Sequence, residues 1–185
     1  MNHDLKQISN WSKQWLVTFN PEQTEVLYFG NQQLPRLEFN NTILSTTDTH
    51  KHLGVTLGND LKWHTHINNI LTSASKLLGI VRKLKCSVCR KTLKQIYVSF
   101  LRPILEYSSV VWDNCTQYEK DRLEKVQIEA ASIVTGTTRY INLNNLYKEI
   151  GWLTLEDRRK NQKLVLTFKL RNTMVPDYLS TSMSM

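Results

Sequence analysis

The chain has 185 residues, 41% of them apolar and 22% charged, which suits one ordinary soluble domain or a small domain with a helical extension. No apolar run approaches the roughly 18 residues of a membrane span, and Met1 to Asn10 is polar, without the apolar stretch of a secretory signal. Three cysteines, an odd number, argue against a disulfide framework, so an intracellular setting, nucleus or cytoplasm, is the expectation, and the net charge of +8 turns attention to polyanionic partners.

Leu5, Ile8, Trp11 and Trp15 recur at steps of three and four, which predicts a helix over residues 1–17 with these four on one face. Asn20-Pro21 reads as a stop followed by a capped turn, with Asn20 as cap and Pro21 in the first helical position. Thr24 to Phe29 is rich in β-formers and predicts a strand, closed by a turn at Gly30-Asn31. Arg36 to Phe39 and Thr42 to Leu44 read as short strands joined by Asn40-Asn41, and His52 to Leu57 as a further strand ended by Gly58-Asn59.

After Asp60 the pattern becomes helical. Ile67, Ile70, Leu71, Ala74, Leu77, Leu78, Val81 and Leu84 form an apolar stripe at helical period, predicting a helix from Trp63 to Lys85. A second helix is expected with Leu93, Ile96, Tyr97, Phe100 and Leu101 inward, ended or bent at Pro103. Thr116 with Glu119 has the form of a capping box, opening a third helix with Leu123, Val126, Ala130 and Val134 on one side and Gly136 as its stop. Thr154 with Asp157 marks the start of a last helix reaching Arg171, and the tail from Ser180 to Met185 is expected to fray. The composition breaks near Asp60, giving an α+β chain: a small mixed strand/helix part over residues 1–60 and an all-helical part over 61–185.

The charge is segregated along this plan. Leu61 to Leu105 holds nine basic residues (Lys62, Lys76, Arg82, Lys83, Lys85, Arg90, Lys91, Lys94, Arg102) and no acidic one, whereas the rest of the chain has 15 basic and 16 acidic, a net of −1. A second run, Arg158, Arg159, Lys160, Lys163, Lys169 and Arg171, also lacks an intervening acid. A scattered set of cations would read as a solvated helix face; nine to zero over 45 residues favours a polyanion partner, most often nucleic acid.

Signatures of other chemistries are missing. There is no Gly-x-x-x-x-Gly-Lys or Gly-x-Gly-x-x-Gly phosphate loop and no Gly-x-Ser-x-Gly elbow. The close acidic pairs, Glu119 with Asp121 and Glu156 with Asp157, sit at expected helix starts, where acids complement the helix dipole, so they read as helix-start charges and not as metal ligands. His50-x-His52, His64-x-His66 and Cys86-x-x-Cys89 have ligand-like spacing, yet nothing in the sequence brings them together. Cys86 and Cys89 are expected to pack at a helix junction, with Cys115 an isolated small residue. Trp11, Trp15 and Tyr97 fit apolar stripes and are expected in the core; Trp63, Tyr118 and Tyr140 are less constrained as base-stacking candidates.

The order of several loose motifs adds a resemblance. Trp11 and Trp15, then Phe19-Asn20-Pro21-Glu22-Gln23-Thr24 and Val26-Leu27-Tyr28-Phe29, are similar to the segment that follows the catalytic aspartates in jockey-like non-LTR retrotransposon reverse transcriptases. Lys51-His52-Leu53-Gly54-Val55-Thr56-Leu57 with Leu61-Lys62-Trp63 and His66-Ile67 resembles that family's Lys-x-Leu-Gly strand leading into the first thumb helix. Arg102-Pro103-Ile104-Leu105-Glu106-Tyr107 with Val111-Trp112 resembles its Arg-Pro-x-Leu-x-Tyr segment, and Leu123-Glu124-Lys125-Val126-Gln127 and Leu153 to Arg159 resemble the helices that follow.

The resemblance implies that residues 1–60 are the C-terminal edge of a reverse transcriptase palm, with a primer-grip-like strand at His52, Leu53, Gly54 and Val55. It implies a thumb-like region over 61–185, with Lys62, Lys76, Arg82, Lys83, Lys85, Arg90, Lys91 and Lys94 facing RNA or RNA–DNA hybrid. It further implies association with the rest of such a polymerase and no membrane partner. Two departures matter. The family's Tyr-x-Asp-Asp is missing and no two aspartates are adjacent anywhere, so the carboxylates that hold the catalytic metal ions are not in this chain. The chain alone is expected to be inactive as a nucleotidyltransferase, with no catalytic residue, no metal site and no cofactor; Mg²⁺ belongs only to the full-length polymerase. Gln23 stands where the family usually has Lys, and a neutral amide is a poor general acid. The alternatives are a non-catalytic binding module for RNA or RNA–DNA hybrid, or an inert structural relic in which the strand Thr24 to Phe29 keeps an unpaired edge.

Overall fold

The computed structural model describes residues 1–30, 36–137 and 142–181, with only the backbone of 180 and 181. Asn31 of the first expected turn, Tyr140 and the end of the tail lie outside the described residues. The described chain is α+β and forms two compact units, Met1–His66 and Ile67–Met185. Their boundary falls inside a helix, after His66, where the composition suggests Asp60. Among the described residues no helix is long and apolar enough to cross a membrane.

The first unit opens with α1 (Asn2–Gln14). A single 3₁₀ turn, Pro21–Gln23, follows, and the Asn20 side chain accepts the Glu22 N–H at 3.0 Å, as the Asn-Pro pair predicts. Among the described residues six short strands come next: β1 (Glu25–Leu27), β2 (Glu38–Phe39), β3 (Thr42–Ile43), β4 (Ser45–Thr47), β5 (Thr49–His52) and β6 (Val55–Gly58). They form three two-stranded sheets: β1 parallel to β4, β2 antiparallel to β3, and β5 antiparallel to β6. Asn40 and Asn41 turn the β2–β3 hairpin with positive φ at both, a conformation asparagine tolerates. β4 is polar throughout, with no apolar alternation, yet it covers one side of β1, which therefore has a partner. The apolar centre is small: Val26, Leu37, Phe39 and Leu44, with Leu5 and Tyr28 against it.

Two expectations fail in this unit. The segment His52 to Leu57 is not one strand: Leu53 and Gly54, at φ 45° and 84°, form a tight turn between β5 and β6. Two residues of positive φ match the twist of a hairpin, and Gly54 adopts that conformation without steric cost. Second, Trp11 and Trp15 are not core: they are 49% and 63% exposed. α1 is held to the β2–β3 hairpin by polar contacts, Asn2 to the backbone of Arg36 and Glu38 and Ser9 to Asn40. These place Leu5, Ser9 and Ser12 inward, and the line of Ile8, Trp11 and Trp15 lies roughly a quarter turn away at 100° per residue.

Among its described residues the second unit is all helical. It contains most of α2 (His64–Leu84), then α3 (Arg90–Ile96), α4 (Arg102–Glu106), α5 (Ser109–Trp112), α6 (Gln117–Thr135), α7 (Leu143–Ile150), α8 (Leu155–Arg171) and α9 (Asp177–Thr181). In α2 the expected stripe is inward, with Ile67, Ala74 and Val81 fully buried. α3 passes into α4 through a π turn, Tyr97–Leu101, in which the Arg102 N–H returns to the Tyr97 carbonyl. Pro103 therefore neither ends the helix nor breaks it, because the wider turn makes room where its missing N–H would leave a gap. The same turn explains why Phe100, expected inward, is 62% exposed. Leu93, Tyr97, Leu101 and Leu105 are all buried at strict steps of four. An α-helix would drift about 40° at each such step; the π turn takes up that drift and rotates Phe100 outward.

The caps follow the sequence closely. Thr116 and Glu119 form a reciprocal capping box, Gly136 closes α6 at φ 75°, and Thr154 accepts the Asp157 N–H at 3.0 Å. Glu119 thus serves as a helix cap. α7 is not among the helices expected from the sequence, although Leu143, Leu146, Tyr147 and Ile150 recur at steps of three and four and the last three are buried; Asn142 caps it and Gly151 ends it.

The core of this unit contains a polar network. Gln127, 1% exposed, accepts a hydrogen bond from the Tyr97 hydroxyl. Its amide donates to the Leu153 carbonyl at 2.9 Å and to the Tyr147 hydroxyl at 3.3 Å. Tyr147 in turn donates to Glu124, whose other oxygen accepts the Leu155 N–H at 3.0 Å. Burial raises the Glu124 carboxyl above the usual range, opposed by these donors. Tyr97 also stacks on Trp152, ring centroids 3.8 Å apart, which ties the α3–α4 run to the loop between α7 and α8.

Candidate nucleic-acid interface

α2 has one face in the core and the other in water. Asn69, Thr72, Lys76, Gly79 and Lys83 follow one another at steps of three and four opposite the buried stripe. No acidic residue occurs on the helix. Lys76 and Lys83 are exposed and have no intramolecular ion pair among the described residues. They lie two turns apart, about 10 Å along the axis. Between them, nothing stands within 4 Å of where a Cβ on Gly79 would be, so a flat molecule can approach the helix backbone there. Thr72 turns its hydroxyl proton back to the Asn68 carbonyl at 2.8 Å, which leaves the two lysines as the charged donors of this face. Lys85 and Lys91, also exposed and without an ion pair among the described residues, continue the positive surface across the α2–α3 connection.

Other cations of the acid-free segment are exposed but paired with groups of the same unit. Arg82 pairs with Glu129 of α6. Arg90 pairs with Glu149 of α7 at 2.8 Å. Lys94 donates to the Ile150 carbonyl at 2.6 Å, satisfying the C-terminus of α7. Lys62 is exposed in the first unit, and Arg102 is half-buried. Acids brought from distant helices therefore divide a segment that is uniformly positive in sequence. Asn69 and Thr72 do not stand out in the sequence; their spacing from Lys76 and Lys83 is the signal that could find them.

The second basic run has a different role from the one its charge suggests. Arg158 pairs with Glu106 through both oxygens, Lys160 with Glu156, and Arg159 and Lys163 with Asp113. Lys120 approaches the same Asp113 at 3.8 Å. Burial by itself would raise the Asp113 carboxyl; hydrogen bonding to Lys163 and the positive charges of Lys120, Lys163 and Arg159 hold it below the usual range. Arg159 is 3% exposed. Three of the six, Arg158, Arg159 and Lys163, staple α8 to α4 and to the end of α5.

In the first unit, the residues resembling a primer grip form the β5–β6 turn. Leu53 is 78% exposed at its tip, His52 pairs with Val55 across it, and Val55 is buried. His50 pairs with Glu25 at 3.0 Å. His66 is buried and accepts the Thr56 N–H through Nδ1 at 3.3 Å; burial, and more weakly the charge of Lys51, lowers its pKa. Among the described residues no group of three or more metal-capable side chains converges. Trp63 packs edge-on to His66, and Tyr118 is 66% exposed with the Arg122 guanidinium over its ring at 5.6 Å.

Comparison with known proteins adds a line of evidence independent of this geometry. The chain is 23% identical over 164 residues to the RNA-directed DNA polymerase from mobile element jockey of Drosophila melanogaster, covering 85% of this chain and 18% of that protein. It is 20% identical over 158 residues to a probable RNA-directed DNA polymerase from transposon X-element of the same species, covering 82% and 17%. A jockey polymerase from Drosophila funebris is 24% identical over 151 residues, covering 77% and 16%. All three relatives bear the name of RNA-directed DNA polymerases from mobile elements or transposons, and the chain spans less than a fifth of their length. No family model matches the chain. No solved structure matches it.

Proposed function

We propose that this chain is a nucleic-acid-contacting fragment of a non-LTR retrotransposon reverse transcriptase. In this reading residues 1–60 derive from the edge of the palm, with His52 to Val55 as a primer-grip-like turn, and residues 61–185 from the thumb. The carboxylates for nucleotide addition lie outside the chain, so it has no polymerase activity alone. The likeness to the jockey and X-element polymerases supports the family. The observation that carries the contact is the outer face of α2, where Lys76 and Lys83 flank the open position at Gly79 on a helix without acids. Lys85 and Lys91 extend it. Such a surface meets phosphates, not base edges, so binding is sequence-tolerant. Arg82, Arg90 and Lys94 contribute indirectly, by fixing α2 and α3 against α6 and α7.

The test is binding of the purified chain to a labelled RNA–DNA hybrid at about 50 mM and about 200 mM salt. Tight binding that falls steeply with salt is expected. Replacing Lys76, Lys83, Lys85 and Lys91 by Gln should flatten the salt dependence by about one unit of slope for each phosphate that is no longer neutralised. Lys160→Gln, which removes an exposed pair with Glu156, should leave the slope unchanged. No binding at low salt, or an unchanged slope in the fourfold variant, would refute the contact and leave an inert relic. Primer extension by the chain alone with Mg²⁺ would refute its inactivity.

A further inference from the structure

Cys86 and Cys89 are a thiol pair that the fold does not use. Free cysteine is among the most buried residue types, and where it is not buried its reactivity matters more than its packing. Cys115 follows the rule and is 8% exposed. Cys86 and Cys89, expected to pack at a helix junction, are at the junction but exposed to water. Cys86 follows α2, where the Ser87 and Val88 N–H groups both return to the Leu84 carbonyl, at 2.9 and 3.1 Å. Cys89 immediately precedes α3, and its Sγ lies 3.3 Å from Thr92 Oγ1. Ser87 and Val88, between the two thiols, belong to no helix or strand, so drawing the cysteines together breaks no ladder. The flanking side chains are cationic: Lys85, Arg90 and Lys91, of which Arg90 pairs with Glu149.

We propose that Cys86 and Cys89 are a peroxide-sensitive dithiol in which Cys89 is the attacking thiolate and Cys86 the resolving thiol, closing to an intramolecular disulfide. The proposal stands apart from nucleic-acid binding. A hydrogen bond from the Thr92 hydroxyl, aided by backbone N–H groups, stabilises the Cys89 thiolate and lowers its pKa. The thiolate attacks one oxygen of hydrogen peroxide; the O–O bond breaks and the departing hydroxide takes a proton to become water. Cys86 then attacks the resulting sulfenic sulfur, the S–S bond forms, and the S–O bond breaks to release a second water. The dithiol loses two electrons and two protons, and one peroxide becomes two waters. Cys115, buried and with its thiol pushed up by that burial, takes no part.

The full reduced chain is treated with limiting hydrogen peroxide and mapped by peptide mass. A loss of two hydrogens on a peptide linking Cys86 to Cys89 is expected, with Cys115 alkylated only after denaturation. In Cys86→Ser, a dimedone adduct should appear at Cys89. In Cys89→Ser, peroxide consumption at Cys86 should slow several-fold, and Thr92→Val should slow disulfide formation several-fold with both thiols present. The proposal is overturned if both thiols stay alkylatable under peroxide that oxidises free cysteine. It is equally overturned if only chain-to-chain disulfides form, or if Cys89→Ser leaves the rate at Cys86 unchanged.

Discussion

The two units of this chain meet the same physical requirement with very different means. Ile67–Met185 has an extensive core of its own: α6, α7 and α8 carry side-chain caps, the buried row Leu93, Tyr97, Leu101 and Leu105 runs without a gap, and Gln127 has partners for both its oxygen and its amide. Met1–His66 has four buried apolar residues in its main cluster and three sheets of two strands each. Two-stranded sheets are marginal on their own, and α1 leaves Ile8, Trp11 and Trp15 facing water. An apolar pattern can thus be kept where no described side chain stands opposite it. Apolar periodicity measures what a helix could bury; burial itself depends on what stands opposite.

The contrast can be tested by substitution. The largest effect is expected at Asp113. Asp113→Ala strands Arg159, which is 3% exposed, and should cost about 3–5 kcal/mol in urea unfolding of the helical unit. A loss no greater than that of an exposed ion pair would show that the helical unit does not depend on this staple. Gln127→Leu comes next: it removes partners from the Tyr97 hydroxyl and the Leu153 carbonyl and should cost about 1–3 kcal/mol. Its failure to destabilise would mean the polar network is replaceable by packing.

A smaller, pH-dependent effect belongs to the first unit. The folded pKa of His66 lies below its ordinary value of 6.5, so the unfolded chain takes up the proton first as pH falls. The stability linked to His66 is therefore complete above about pH 6.5 and declines as pH drops through that value towards the folded pKa. Exchange of the Thr56 amide, corrected for its intrinsic pH dependence, should accelerate over that range in the native chain and not in His66→Gln. The smallest effect is expected from Trp11→Ala with Trp15→Ala, within about 0.5 kcal/mol each, because both rings already face water. A loss of several kcal/mol there would overturn the view that α1 is attached by its polar side.

Helix starts and stops are the most legible part of the sequence. Thr116 with Glu119, Gly136 and Thr154 with Asp157 all act where their spacing places them, because a cap is settled within one turn of chain. The stripe of α2 is legible for the same reason. β4 is not, since Ser45, Thr46 and Thr47 offer no apolar alternation and the strand is fixed by its pairing with β1; α7 was legible in Leu143, Leu146, Tyr147 and Ile150 between Asn142 and Gly151, a pattern only two turns long. The candidate interface is half legible. The acid-free segment stands out, but charge counted along a chain does not say which cations already have partners.

What the sequence determined by itself is local: the helical periods, the caps, the acid-free segment and the likeness to retrotransposon polymerases. What only the tertiary structure decided is which side chains meet. Arg82 reaches Glu129 across 47 residues, Arg159 reaches Asp113 across 46 and Arg158 reaches Glu106 across 52, while Lys76 and Lys83 on α2 have no ion-pair partner among the described residues. The physical reason is range. Backbone preference and capping act within a few residues, whereas ion pairing and burial depend on distances in space that the packing of the helices alone sets.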